Sequence, residues 1–422
     1  MSPTRREVIA GLAGLAATSA GRSLVAEGVT PPRPRAHGDV LAGSAHREFP
    51  RKSDFNLAAG YTYISGAYTH PMPVAAAEAM RQWGARRSTV GGPPAPPRTD
   101  PRIAFATLIN ARPEEVSFIP NTSTGENFVV EALGIPRSGG NVVTDGLHFE
   151  GALIHLMELQ KQGLDLRVVA PMDGRVDLAD MARVIDSKTR LVEVSFVSMY
   201  NGFQHDLKAV CDLAHAHGAY VYADIIQGVG AVPLDVKATG VDFASTATYK
   251  WLMGDFGLGF FYVRSELLGS VIRRAHWSYE STLDAEMHLS PFDPQYPVPV
   301  TWTPGGAAAH YLQLGTYAIG ASVALAVSIP YIQSLGVENI QRHRQPMLRK
   351  LQQEMPRFGF VPQTPADSTS PIVTFAHRDT TRAAERWQAA KVSVRVAPTW
   401  VRIAPSVYNE MADVDRLLDA LE

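Results

Sequence analysis

Cysteine is nearly absent from this chain: Cys211 is the single one among 422 residues. An intramolecular disulfide is therefore excluded, and so is any cysteine cluster that could hold zinc or iron–sulfur. Cys211 lies in the helical-looking run AVCDLAHAHG. Its place on a Leu/Ala/Val stripe reads as a small core residue rather than a nucleophile. An excess of one charge is also lacking. Thirty-nine basic residues against 41 acidic ones give a net charge of −2, which excludes a nucleic-acid surface or a polybasic membrane surface. Lysine is scarce beside arginine, so each well-placed lysine carries more information. His215 and His217 have no plausible third metal ligand, and no metal site is expected.

Hydrophobic residues make up 45% and charged residues 19% of the chain, ordinary values for a soluble globular enzyme. The length exceeds the roughly 250–300 residues at which single cores stop growing, so two lobes are expected. At the N-terminus, MSPTRREVIAGLAGLAATSA places Arg5-Arg6 before an uncharged run from Val8 to Ala20 that is too short to span a bilayer. Thr4-Arg5-Arg6 with Val8 and Ile9 looks like a twin-arginine export signal, with cleavage after Ala20 or Ala26. A basic, Ala-rich tail is the plainer alternative. The expected organisation is a signal over 1–28, a linker over 29–50, a segment joining a small domain over 51–70, a large domain over 71–304 and a C-terminal portion over 305–422. The Pro/Gly patch GGPPAPPRTD at 91–100 reads as an exposed loop.

Between about 115 and 265, short apolar runs alternate with helical patterns. Strands are expected at Val116–Ile119, Asn141–Thr144, Leu166–Val169, Leu191–Phe196, Ala219–Ala223, Phe243–Ser245 and Phe260–Val263. Helices are expected at Glu126–Leu133, Gly151–Gln162, Leu178–Ile185 and Leu207–His217. This is α/β patterning around a mostly parallel sheet. After Pro304 a long Ala-rich helix is expected through Ser328, followed by a smaller α+β lobe. Ligands of such sheets bind at the carboxyl ends of the strands.

Three stretches at such ends hold candidate chemistry. Ala219-Tyr-Val-Tyr-Ala-Asp224 is a buried strand ending in an acid, followed by Gln227. A carboxylate there is costly unless it meets a partner, and a cap or turn role is equally open. Ser245-Thr-Ala-Thr-Tyr249-Lys250-Trp251 places a lysine between aromatics after a short strand. Desolvation there would lower its pKa toward a reactive neutral amine; a surface lysine over Trp251 is the alternative. Ile119-Pro-Asn121-Thr122-Ser123-Thr124-Gly125-Glu126 is a strand, a polar turn and a helix start, suited to a phosphate or to simple capping.

Together these stretches resemble the class V aminotransferase family of fold type I enzymes, which use pyridoxal 5'-phosphate (PLP). The family includes cysteine desulfurases, isopenicillin N epimerase-like proteins and kynureninases. The resemblance runs from about Tyr61 to the C-terminus. It implies an α/β fold with a large, mostly parallel sheet and a smaller α+β C-terminal domain. It implies PLP held as a Schiff base on Lys250, with Asp224 on the pyridine nitrogen and Gln227 near the phenolic oxygen. Ser123, Thr124 and Gly125 match the phosphate turn, and Tyr249 another phosphate contact. Phe149, or His148 if the alignment slips by one residue, matches the ring-stacking position. Gly315 and Thr316 resemble the element that reaches the phosphate across a dimer interface, so a homodimer is implied. Arg402 matches the arginine that grips a substrate carboxylate, while Tyr68 and His70 sit where relatives place a substrate loop. Two positions depart from the family: Met199 stands where Asn is common, and Ala247 lacks a common hydroxyl.

The expected activity is that of an exported PLP enzyme on the amino-bearing carbon of an amino acid or peptide-like substrate, most simply as an aminotransferase. Epimerisation, lyase cleavage and periplasmic siderophore or peptide tailoring are alternatives on the same scaffold; a binding protein that has lost catalysis is disfavoured by intact Lys250, Asp224 and Gln227. Desulfuration is disfavoured because its persulfide requires a cysteine on a mobile loop. If Arg5-Arg6 form an export signal, changing both to lysine will retain the protein in the cytoplasm, as cell fractionation will show; unchanged export would assign the segment to another route or to a tail.

Overall fold

The central element is a seven-stranded sheet whose interior strands are buried along nearly their whole length. In spatial order the strands are Val116–Ile119, Gly259–Val263, Phe243–Ala247, Tyr220–Asp224, Thr189–Ser195, Asn141–Asp145 and Asp165–Val169. The structure, a computed structural model, describes residues 48–90 and 99–422. The signal segment and nearly all of the expected linker lie outside the described residues, as do 91–98 of the Pro/Gly patch.

Only Gly259–Val263 runs antiparallel to its neighbours; the remaining pairings are parallel. Parallel strands need crossovers, and helices Glu150–Gln160, Leu178–Val184 and Leu207–Ala216 supply them. Helices on both faces explain why strands such as Asn141–Asp145 and Phe243–Ala247 are buried on both sides rather than alternating. Register aligns Ser195 with Asp224 and Asp224 with Ser245 at the carboxyl edge.

A second, four-stranded antiparallel sheet has the order Val361–Pro362, Val373–Ala376, Trp400–Ile403, Arg395–Ala397. Its core of Leu348, Leu351, Phe375, Trp387, Val401 and Leu417 also takes in Ile64 from the N-terminal segment. Thr62–Tyr63 pairs in parallel with Val392–Ser393, tying that segment to the C-terminal portion. The chain is thus α/β with a mostly parallel central sheet and a smaller α+β portion, the architecture of fold type I.

Two elements differ from expectation. The Ala-rich helix is not continuous from Pro304: a short helix Ala308–Leu312 ends, and Ile319–Leu335 begins after a break. Gly315 lies in that break, and glycine costs a helix about 1 kcal/mol relative to alanine. The stretch before it forms an antiparallel hairpin, Thr282–Met287 with Val300–Pro304, bearing exposed Leu283, Met287 and Trp302. No single helix among the described residues is long and apolar enough to cross a membrane.

Helix Thr122–Ala132 begins four residues earlier than its periodicity predicts, because Asn121 caps it. Asn121 Oδ1 accepts from the backbone N–H of Thr124 at 3.0 Å and from the Thr124 hydroxyl at 3.1 Å. Gly125 lets this first turn lie directly on the sheet. A Cβ built there would sit 2.7 Å from Ser245 Cβ and 3.0 Å from Phe261 Cδ2. Gly125→Ala should therefore destabilise the fold by about 1–3 kcal/mol, since overpacking a buried contact pushes backbone and rotamers from their minima. Chemical denaturation will measure this, and an unchanged midpoint would contradict it.

Candidate active site

At the carboxyl edge of the sheet, three strand ends and one helix N-terminus enclose a partly open cleft. Its walls include Asn121, Thr122 and Ser123, then Phe149, Met199, Asp224, Gln227, Tyr249 and Lys250. A larger cavity lies elsewhere, around His205, Lys208, Asp235 and Asp367, and contains none of the expected site residues.

Lys250 follows the strand Phe243–Ala247, which ends in the cleft. Burial pushes its amine down to about 8, against the attraction of Asp224, which favours the charged form. Asp224 ends the neighbouring strand at 5% exposure, and burial pushes its carboxyl up to about 6. The Ile226 N–H donates to Asp224 Oδ1 at 2.9 Å and Lys250 attracts it; both oppose that rise. Each of the two groups is thus pushed toward its neutral form by the same dry cleft.

Gln227, 1% exposed, has both ends of its amide engaged. Its Nε2 donates to the Ala67 carbonyl at 3.1 Å, and Trp251 Nε1–H donates to its Oε1 at 3.1 Å. Phe149 caps the helix Glu150–Gln160 and lines the cleft. His148 does not line it. That imidazole is fully buried, with Nδ1 at 2.9 Å from the hydroxyl of Ser195, and burial lowers it to about 4. Between the two candidates for the stacking position, the structure brings Phe149 to the cleft.

The turn at 121–125 divides its labour differently from the sequence reading. Ser123 lines the cleft, whereas the Thr124 hydroxyl is taken up by the Asn121 cap and Gly125 serves close packing. Thr122, which motif reasoning passed over, also lines the cleft, and its buried Oγ1 has no hydrogen-bond partner among the described residues. Its carbonyl meanwhile accepts from Ser245 at 3.1 Å. A buried hydroxyl facing a helix N-terminus is a donor in need of an acceptor, a role that an anion would fill.

Arg402 sits on the strand Trp400–Ile403 at 4% exposure and reaches the rim of the cleft, donating from Nη1 to the Met199 carbonyl at 2.8 Å. Burial lowers its guanidinium to about 10. Tyr249 lines the cleft and stacks on Phe256, with ring centroids 4.3 Å apart. Tyr68 is half exposed beneath the guanidinium of Arg395, 5.0 Å from its ring, and is not among the lining residues. His70 is not brought to the cleft either. It is 2% exposed, with Nδ1 at 2.7 Å from the Pro71 carbonyl and Nε2 at 2.6 Å from the Ser406 hydroxyl, so both nitrogens are occupied by structure. Gly315 and Thr316 line a separate groove with Thr124 and Phe128, and the Thr316 hydroxyl meets Tyr279 OH at 2.8 Å.

The Aminotransferase class-V family model matches residues 99–417. The chain belongs to that family. A probable cysteine desulfurase from Methanothermobacter thermautotrophicus is 28% identical over 312 residues, covering 71% of this chain and 74% of its own. A cysteine desulfurase from Klebsiella pneumoniae subsp. pneumoniae is 31% identical over 254 residues, covering 59% of each. The chain thus spans less than two thirds of the length of that second relative. Among solved structures, a lysine-to-alanine mutant of the enzyme C-DES, with glycine covalently linked to its PLP cofactor, superposes with a TM-score of 0.73 at 18% identity. That match covers 88% of this chain and 99% of the other. This family member is a PLP-dependent enzyme, and its cleft fits that cofactor. It offers a desolvated lysine for the aldehyde, an acid for a ring nitrogen and an aromatic face at Phe149. The helix N-terminus adds the unpartnered Thr122 hydroxyl for a phosphate.

The depressed lysine sets a pH dependence. Only the neutral amine attacks an aldehyde, so PLP capture by the apo-protein should rise with pH through a midpoint of about 8, rather than that of an ordinary lysine. Stopped-flow absorbance across pH will check this; a midpoint near the unperturbed lysine value of about 10.4 would contradict it.

Proposed function

We propose that this class V enzyme acts at the amino-bearing carbon of an amino acid or peptide-like substrate, most simply as an aminotransferase. The reading rests on one observation: Lys250 and Asp224 share a dry cleft with a guanidinium, Arg402, at its rim. PLP, when bound, supplies an electron sink for a carbanion. The chain's own groups supply the rest. Lys250, once free, takes the Cα proton, and an amine that titrates at about 8 is well matched to that work near neutral pH. Asp224 holds the ring nitrogen protonated, and Arg402 offers a planar fork to the substrate carboxylate. Ser123, Thr122 and the helix N-terminus hold the phosphate, with Tyr249 adding a further contact.

The relatives named as cysteine desulfurases pose the main alternative. The only thiol of this chain belongs to helix Leu207–Ala216, has 0% exposure and is pushed up to about 12 by burial. A protein-bound persulfide cannot form on such a group without unfolding its helix. Lyase cleavage, epimerisation and tailoring of a siderophore or peptide begin with the same proton removal, so product analysis must separate them. The Arg5-Arg6 pattern supports an exported, periplasmic enzyme, and the family resemblance of Gly315-Thr316, which lies outside this chain's own cleft, supports a homodimer in which Thr316 serves the partner's phosphate.

Two measurements test this reading. Borohydride reduction of the holoenzyme followed by peptide mapping should place the adduct on Lys250; an adduct on another lysine would overturn the site. Single-turnover assays over a panel of amino acids should yield a keto acid and the amine form of the cofactor, whereas alanine and sulfane sulfur from cysteine, the sulfur read as sulfide after an added thiol reductant, would favour desulfuration. Asp224→Asn should keep PLP but lower turnover on the order of 10²-fold, the usual cost of removing one electrostatic stabiliser. Wild-type turnover in that variant would refute the pyridinium role.

A further inference from the structure

We propose that Trp251 is a positioning residue: it fixes which end of the Gln227 amide faces the cofactor. The proposal rests on the reading of the cleft as the PLP site and adds a residue that does not itself line it.

A terminal carboxamide torsion is broad and nearly two-fold, so an unrestrained glutamine presents either its oxygen or its nitrogen. Here two partners of fixed character remove that choice. An indole N–H can only donate, so the atom 3.1 Å from Trp251 Nε1 must be the oxygen of Gln227. A backbone carbonyl can only accept, so the atom 3.1 Å from the Ala67 oxygen must be the nitrogen. The two requirements agree. The oxygen is occupied, and the second N–H of Nε2 is the group left for the cleft.

Trp251 can impose this because it cannot move. Its side chain is 1% exposed. A Cβ on Gly66 would come within 3.3 Å of its ring, so the ring lies flush against that backbone. His70 packs with its ring centroid 5.8 Å away. Over the indole, 5.4 Å from its centroid, lies the guanidinium of Arg344. Arg344 is fully buried and donates from Nη2 to the Ala231 carbonyl, while its Nε and Nη1 have no partner among the described residues. With no ion-pair partner among the described residues, this buried cation is held by the Ala231 carbonyl and the indole face, and it in turn packs on the ring.

An N–H aimed into the cleft favours an oxyanion opposite it, which for bound PLP would be the phenolic oxygen that the family resemblance sets near Gln227. Losing the indole N–H leaves the Ala67 carbonyl as the amide's one remaining partner of fixed character, loosens the aim of that donor, and would leave the proton on the lysine-bound cofactor to higher pH. The readout is the pH midpoint of the cofactor's visible absorption band in the holoenzyme. Trp251→Phe retains an aromatic face for Arg344 and lacks the N–H, so the midpoint should rise by about half a unit to one unit, the worth of one such hydrogen bond. Gln227→Ala should raise it at least as far, and the double variant should match Gln227→Ala alone. If Trp251→Phe does not fold, 3-benzothienylalanine introduced at position 251 keeps the bicyclic shape without the N–H and should give the same shift. An unchanged midpoint in either Trp251 variant overturns the proposal, provided that Gln227→Ala moves it. So does a Trp251 shift that persists undiminished in the Gln227→Ala background, because the indole would then act on the cofactor by another route. No shift in Gln227→Ala removes the placement of Gln227 beside the cofactor, and this proposal with it.

Discussion

Lys250 and Asp224 are two opposite charges withdrawn from water into one cleft, and most of the surrounding structure follows from that arrangement. Either charge alone would be expensive to bury. Together they hold each other partly in check, each pushed toward neutrality by burial and pulled back by the other. The parallel strands Tyr220–Asp224 and Phe243–Ala247 are adjacent and pair Asp224 with Ser245, so the chain leaving the second strand brings Lys250 into the cleft that Asp224 lines. The helix at 122–132 points its N-terminus at the same edge, pressed onto the sheet where Gly125 has no side chain. That arrangement sets a positive backbone end at the same cleft that the acid and the lysine line.

The C-terminal portion contributes a single guanidinium to this picture. Arg402 is carried by the middle of a small antiparallel sheet, and it reaches across to the Met199 carbonyl on the loop after Thr189–Ser195. Met199 stands where the family resemblance leads one to expect asparagine. In this chain the contribution at that position comes from the backbone rather than the side chain, and that backbone contact orients the arginine.

How much of this was legible depended on distance along the chain. Lys250, Asp224 and Gln227 could be read because each lies within about five residues after a β-type run, and strand ends are where such sheets place chemistry. Arg402 required the family resemblance, since nothing local distinguishes it. Thr124 and Gly125 were read as phosphate contacts because hydroxyls and glycine near a helix start suit that role. Asn121 claimed the Thr124 hydroxyl as a cap, which left Thr122 and Ser123 facing the cleft. An orphaned hydroxyl is a three-dimensional fact, and no spacing rule would have found it. His70 is the same case in reverse: its nitrogens meet Pro71, a neighbour, and Ser406, which lies 336 residues away. The hairpin at 282–304 escaped notice because Leu283, Met287 and Trp302 carry core-like residue types on an exposed element.

The sealed position of Cys211 bears on more than the choice of reaction. With one thiol, and that thiol inside a helix packed on the sheet, the folded chain has the same covalent structure in a reducing or an oxidising medium. It needs no thiol pairing to mature and no reductant to stay active. Its stability rests wholly on packing, hydrogen bonds and cofactor occupancy. A fold of this kind keeps one covalent structure across redox environments, and cofactor binding adds to its stability by mass action.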